Sequence, residues 1–170
     1  YAAKGRPAFN PLIAHVADLD AARQLAVLDA DAEKLAAAFW PGPLTLVLPK
    51  QPNCPVAALA LAGLDSIAIR VPSQKTARAL LEAFGGPVVA PSANRSGHVS
   101  PTSAAHVLAD LRGRIEIILD DGDCDVGVES TIVALLGEPT LLRPGGLPRE
   151  DIERVLGHPL SSPATDDAAD

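Results

Sequence analysis

Residues 66–90, SIAIRVPSQKTARALLEAFGGPVVA, decide the fold class. The first six residues are mostly apolar and β-prone, with Arg70 their only charge, which predicts a strand over 66–71. Ser73 is then the expected cap of a helix whose Ala77, Leu80, Leu81 and Phe84 fall at i, i+3, i+4 and i+7, one face of a 3.6-residue repeat. Gly85-Gly86 ends that helix, and residues 87–90 read as a second buried strand. A strand, a helix and a strand within 25 residues is the signature of a layered α/β domain.

The same alternation extends in both directions. Upstream, a short apolar run over 12–16 precedes Asp18, an expected N-cap for a helix with Leu19, Ala22 and Leu25 on one face. A second helix from about Asp31 turns Leu28, Leu35 and Phe39 inward and stops at Trp40-Pro41-Gly42-Pro43. A compact strand over 44–48 and a loop over 49–55 follow. Residues 1–4 read as the end of a helix. Downstream, Ser100-Pro101 is an N-cap and N1 pair opening a helix with Ala104, Val107, Leu108 and Leu111 on its stripe, ended by Gly113. Strands are expected over 115–119, 131–135 and 140–142. A short helix from Arg149, with Ile152, Val155 and Leu156 facing inward, closes at Gly157. The connections predict a twisted mixed sheet flanked by helices, forming one domain over 1–160. Residues 161–170 have no periodicity and are expected to be a linker or disordered tail.

Composition narrows the function. With 14 Lys+Arg against 21 Asp+Glu among 170 residues, the formal net charge is −7, so bulk charge offers no general attraction for nucleic acid and favours small-molecule chemistry. No apolar run approaches the roughly 18 residues needed to cross a bilayer, so no membrane partner is expected. Cys54 and Cys124 share no metal-binding spacing and are expected as two thiols of a cytoplasmic protein. The chain has no phosphate-loop, dinucleotide-fold or nucleophile-elbow motif. The acidic run at 120–125 lacks the EF-hand glycine and terminal Glu and reads as a solvated loop. No metal ligands are assigned; Glu129 alone is weak evidence for one.

Polar residues gather where elements end. Lys4, Arg6, Asn10 and His15 lie near the front, Arg70 ends one strand, Ser92 and Asn94 follow another, and Ser130 and Arg143 flank later ones. Singly, each has an ordinary structural reading: a solvated or carboxylate-paired cation, a turn former, a hydrogen-bonded core histidine. Together, four cations with hydroxyl and amide donors suit a compact polyanion such as a nucleotide phosphate chain.

Seven blocks then identify a family. Lys-Gly-Arg-Pro (4–7) with Asn-Pro-Leu-x-x-His (10–15), Trp-Pro-Gly-Pro-Leu-Thr (40–45), Ile-Arg-Val-Pro (69–72), Ala-Pro-Ser-Ala-Asn-x-Ser-Gly (90–97), Ser-Pro-Thr (100–102), Gly-Val-Glu-Ser-Thr-Ile (127–132) and Leu-Arg-Pro-Gly (142–145) occur in one order. The chain resembles the YrdC-like L-threonylcarbamoyladenylate synthases over residues 1–160. The resemblance implies a dsRBD-like α/β fold with a large, concave, positively charged cavity. It implies a nucleotidyltransferase that condenses L-threonine, bicarbonate or CO2 and ATP, with Mg2+, into threonylcarbamoyl-AMP and pyrophosphate. That product feeds threonylcarbamoyladenosine formation in tRNA through a downstream threonylcarbamoyl transferase, with tRNA or double-stranded RNA as a further contact.

By the same resemblance Lys4, Arg6, Ser92 and Asn94 are the catalytic signature. ATP would meet Lys4, Arg6, Asn10, Ser66, Ser92, Ser100 and Arg143, and threonine would meet His15, Arg70, Ala90 and Ser130. The family also begins with a strand and a Pro-Thr-Glu-Thr-x-Tyr-Gly-Leu segment ahead of Lys-Gly-Arg-Pro, so an N-terminal part carrying a threonine-contacting Thr is expected to be absent here. Two other readings stand beside the synthase: an RNA-binding module without catalysis, and a carbamoyl-adenylate-forming domain of hydrogenase maturation.

Overall fold

The computed structural model describes residues 1–163. Chain order after a 3-10 turn at Ala2–Lys4 is β1 (Ile13–His15), α1 (Leu19–Leu25), α2 (Ala30–Phe39), β2 (Leu44–Pro49), β3 (Ser66–Arg70), α3 (Lys75–Phe84), β4 (Val88–Ala90), α4 (Ala104–Leu111), β5 (Thr131–Ala134), β6 (Thr140–Arg143) and α5 (Arg149–Leu156). The strands form one six-stranded sheet in the order β4-β1-β3-β2-β5-β6. β1 with β3 and β2 with β5 are parallel, and the other neighbours are antiparallel. The sheet is mixed, as the sequence predicts.

Successive strand residues face opposite sides, and the two sides differ here in chemistry. Ile67 and Ile69 of β3 align with Leu46 and Leu48 of β2 and, across the sheet, with Val133. These side chains are buried against Ala22 and Leu25 of α1, Leu35 and Ala36 of α2, and Ile152 and Leu156 of α5. With three phenylalanines and one tryptophan in the chain, aliphatic packing builds this layer. The opposite parity places Ile13, His15, Thr45, Ser66, Ala68, Arg70, Val88, Ala90 and Ile132 on the other face, with Arg143 in register with Ile132. One face is the core, and the other carries most of the polar candidates.

Several expectations change. The cap of α3 is Gln74, without a side-chain hydrogen bond. Ser73 lies one residue too early for its hydroxyl to meet the free amides of the first turn. In α4 the cap is Ser103, whose Oγ accepts from the His106 amide at 3.3 Å; the helix starts three residues later than expected, and the Ser100 hydroxyl donates to Glu129. No strand forms over 115–119: Ile117 and Leu119 are 77% and 61% exposed, and β-prone residues without a paired neighbour do not make a strand. The apolar stripes of α3 and α4 mark real helices but mostly unburied ones. Only Leu81 and Leu111 are buried there, while Leu80, Phe84 and Leu108 remain exposed.

Other details agree. Asp18 caps α1 through the Ala21 amide, and Asp29, two residues ahead of the expected start at Asp31, caps α2 through the Ala32 amide, each at 2.8 Å. Cys54 and Cys124 are free thiols. No described helix is long and apolar enough to cross a membrane. The start of the expected tail differs: Ser161 bridges to Thr140 beside β6, and Arg149 donates to the Ser162 hydroxyl. The remainder of the expected tail, residues 164–170, lies outside the described residues.

Candidate active site

The centre of the open face is a pair of register partners, His15 on β1 and Arg70 on β3. Arg70 Nε donates to the Gly42 carbonyl at 3.0 Å, and the Gly42 amide donates to the Val71 carbonyl at 2.9 Å. The Trp-Pro-Gly-Pro turn is thereby latched to the end of β3. A Cβ on Gly42 would lie 2.3 Å from the Phe39 carbonyl oxygen, so this turn admits no side chain there. Burial lowers the Arg70 pKa, Glu129 opposes the shift and Arg143 adds to it. Burial also lowers the His15 pKa, and the Arg70 charge lowers it further. His15 Nδ1 is shielded from solvent and has no hydrogen-bond partner among the described residues.

A second group forms at the rim. Lys4 Nζ donates to the Ser92 carbonyl, and the Ser96 amide donates to the Lys4 carbonyl at 2.9 Å. These bonds join Lys-Gly-Arg-Pro to the Ser-Ala-Asn loop although 88 residues separate Lys4 from Ser92. Burial and the neighbouring Arg6 charge lower the Lys4 pKa, with Glu129 and Asp110 opposing. Arg6 Nη2 reaches the Pro11 carbonyl at 3.1 Å, and its Nε is buried without a partner. Asn94 shapes the loop: its Nδ2 donates to the Arg95 and His98 carbonyls at 2.9 and 2.7 Å. Asp110 of α4 fastens the same loop through the Arg95 amide and His98 Nδ1.

The third group connects the first two. Arg143 donates from Nε and Nη2 to the Ser130 carbonyl at 3.1 and 2.8 Å, and from Nη2 to Ser130 Oγ at 3.0 Å. Ser130 Oγ is also 2.8 Å from Thr45 Oγ1, a buried contact. Glu129 lies 3.5 Å from Arg143 Nη2 and accepts from the Ser100 hydroxyl. Ser100 in turn lines a cleft of ≈ 660 Å³ with Gly97, His98, Thr102, His106 and Asp110.

Lys4, Arg6, Ser92, Ser100, Ser130, Arg70 and Arg143 thus belong to one electrostatically connected region. Three candidates are not brought into contact with it. Ser66 shares the face of Arg70 but starts β3, about 13 Å away at roughly 3.3 Å per residue. Asn10 is exposed in its loop, its amide donating to Pro7. Ala90 pairs with Ile13 beside the site and contributes backbone.

Two participants escape sequence reasoning. Glu129 gave only a faint metal signal and proves to be a carboxylate shared by Lys4, Arg70 and Arg143; its place between Gly127 and Ser130 in one block was the available clue. Thr45 resembles an ordinary strand residue and holds Ser130. Among the described residues no cluster of three His, Cys, Asp or Glu side chains could cage a metal. The arrangement offers cations, hydroxyls and amides to anions, which suits orientation and charge stabilisation.

The Sua5/YciO/YrdC family model, described as "Telomere recombination", matches residues 1–145. A threonylcarbamoyl-AMP synthase of Pyrococcus abyssi is 51% identical over 166 residues, covering 96% of this chain and 48% of that protein. One of Bacillus subtilis is 48% identical over 159 residues, covering 92% and 46%. The chain therefore spans about half the length of these relatives. The crystal structure of P. abyssi Sua5 complexed with L-threonine superposes with a TM-score of 0.90, covering 96% of this chain and 48% of that one.

Proposed function

This chain belongs to the Sua5/YciO/YrdC family, and from that membership we propose that it is the catalytic domain of an L-threonylcarbamoyladenylate synthase. The observation that carries the reading is 51% identity to a threonylcarbamoyl-AMP synthase across 96% of the chain. The cation-and-hydroxyl face described above supplies the chemistry to match.

In this reading the threonine amine captures CO2 as a carbamate, and a carbamate oxygen attacks the α-phosphorus of ATP, expelling pyrophosphate. Both reacting groups come from substrates, so the protein's task is to hold anions close together and stabilise added charge. Lys4, Arg6 and Arg143 hold the phosphates, with Ser92 and Ser100 as hydroxyl donors. Asn94 acts through the loop it ties. Arg70 pairs the threonine carboxylate, while His15 and Ser130 orient the amino acid. Mg2+ enters with ATP as part of the substrate.

The acyl-adenylate is consumed by a separate transferase acting on tRNA in the cytoplasm. The test is incubation of the full chain with ATP, Mg2+, bicarbonate and a panel of amino acids. Pyrophosphate release and an adenylate formed with threonine alone are expected. Salt-dependent RNA binding without threonine-stimulated ATP turnover would overturn the reading in favour of a binding module. Turnover that requires carbamoyl phosphate would favour the hydrogenase-maturation type.

A further inference from the structure

Glu129 stands out because a carboxylate in a pocket for phosphates opposes its ligand unless it does something for the neighbouring donors. Its two oxygens are both engaged. Oε1 accepts from the Ser100 hydroxyl, and Oε2 lies 3.5 Å from Arg143 Nη2. Ser100 belongs to the loop ahead of α4 and Arg143 to the last residue of β6, and no other contact described between these segments joins the two side chains. Glu129 is their bridge.

Its backbone is correspondingly fixed. The Gly146 amide donates to the Glu129 carbonyl at 2.9 Å. A Cβ on Gly145 would lie 2.3 Å from that carbonyl oxygen and 2.5 Å from Ser130 C and Thr131 N. The turn after Arg143 therefore presses directly on the peptide carrying Glu129, and the carboxylate is placed by main chain rather than by a mobile loop. The remaining cations feel it as well: it opposes the loss of basicity at both Lys4 and Arg70.

We propose that Glu129 is a positioning residue, bridging Ser100 and Arg143 so that the nucleotide-phosphate subsite is ordered before ATP arrives. The inference rests on the synthase reading. Glu129 does not itself touch the phosphates. Arg143 uses its Nε and Nη2 edge on Ser130 and Glu129, which leaves Nη1 for the ligand. The repulsion between this carboxylate and the phosphates is offset by Lys4, Arg70 and Arg143 around it, and ordering a long, rotamer-rich arginine in advance removes a cost that binding would otherwise carry.

The test is a double-mutant cycle on the full chain, with threonine-dependent pyrophosphate release giving kcat and separate KM values for ATP and threonine. Wild-type turnover is measured first; its absence is a failure of the synthase reading. Given that turnover, Glu129→Gln should raise KM for ATP on the order of tenfold, with a smaller change in KM for threonine and a melting temperature near wild type. In the Arg143→Ala background the same substitution should change KM for ATP by less than half as much on a logarithmic scale, because the group it acts through is gone. Glu129→Asp, one methylene short of the bridge, is run in parallel so that a folding failure of the glutamine variant leaves the cycle readable. Independent, multiplicative effects of the two substitutions, or an unchanged KM for ATP in a folded Glu129 variant, would overturn the proposal.

Discussion

His15 and Arg70 sit side by side in register on parallel strands of the same sheet face. The imidazole is harder to protonate than a free histidine because it is shielded from water and faces a fixed positive charge. Its midpoint in the folded protein therefore lies below the usual 6.5. Well above pH 6.5 folded and unfolded chains both carry the neutral ring, so His15 ionisation makes no contribution to the pH dependence of stability there. As the pH falls below 6.5 the unfolded chain takes up the proton first, and the fold loses stability until the folded midpoint is passed. Urea unfolding at pH 7.5 and 5.0 checks the sign: His15→Gln should lose less stability over that interval than wild type. Arg70→Gln should raise the ring's NMR titration midpoint, though not fully to 6.5, since the burial remains.

Gly145 supports the site by having no side chain. Alanine there meets backbone atoms at 2.3–2.5 Å, which cannot move aside as a flexible side chain could. Gly145→Ala should destabilise by about 1–3 kcal/mol or more and raise KM for ATP through the displaced Glu129–Ser130 peptide. Gly86→Ala is the control. Its Cβ meets only the Phe84 ring, at 3.5 Å, and the melting temperature should change little.

Lys4 and Arg6 test the phosphate assignment. Each truncation to alanine should reduce threonine-dependent pyrophosphate release on the order of a hundredfold, the scale of losing one fixed electrostatic donor to a charged reaction centre. Circular dichroism should show the fold intact, because neither side chain belongs to the hydrophobic core. Retention of full activity in either variant would remove that residue from the chemistry.

The helix with the clean apolar stripe gives a stability test. Leu81 of α3 is buried, whereas Leu80 and Phe84 are 47% and 66% exposed. Leu81→Ala should cost about 2–5 kcal/mol by loss of packing. Leu80→Gln and Phe84→Gln should each stay within roughly 0.5 kcal/mol. Equal losses at all three positions, measured by chemical denaturation of the full chain, would contradict the exposure described here.

This helix also marks where sequence reasoning stops. Periodicity in Ala77, Leu80, Leu81 and Phe84 reports that a helix forms, because spacing is local. It does not report whether anything lies against the resulting face, which depends on elements distant in the chain. Residues 115–119 fail for the same reason: Ile115, Ile117 and Leu119 alternate like a strand but find no pairing edge. Capping is finer still. Ser73, Ser100 and Ser103 are alike as residues, and only the folded chain shows that Ser103 caps α4 while the Ser100 hydroxyl goes to Glu129. The candidate site was more legible than these details, since turns between elements expose the hydroxyl, amide and cationic groups that stand out in the motifs. Its hub was not, because a single Glu beside a serine carries no pattern of its own.

The two-sided sheet has a practical consequence for engineering. Helices α1, α2 and α5 pack on the face opposite His15, Arg70 and Arg143, with no side chain of theirs among the candidate ligands. Changes there, such as better-filled contacts between α2 and α5, lie behind the chemistry and should combine additively with alterations to specificity in front of it. Stability and substrate choice can then be evolved on separate faces of one layer, each screened without disturbing the other.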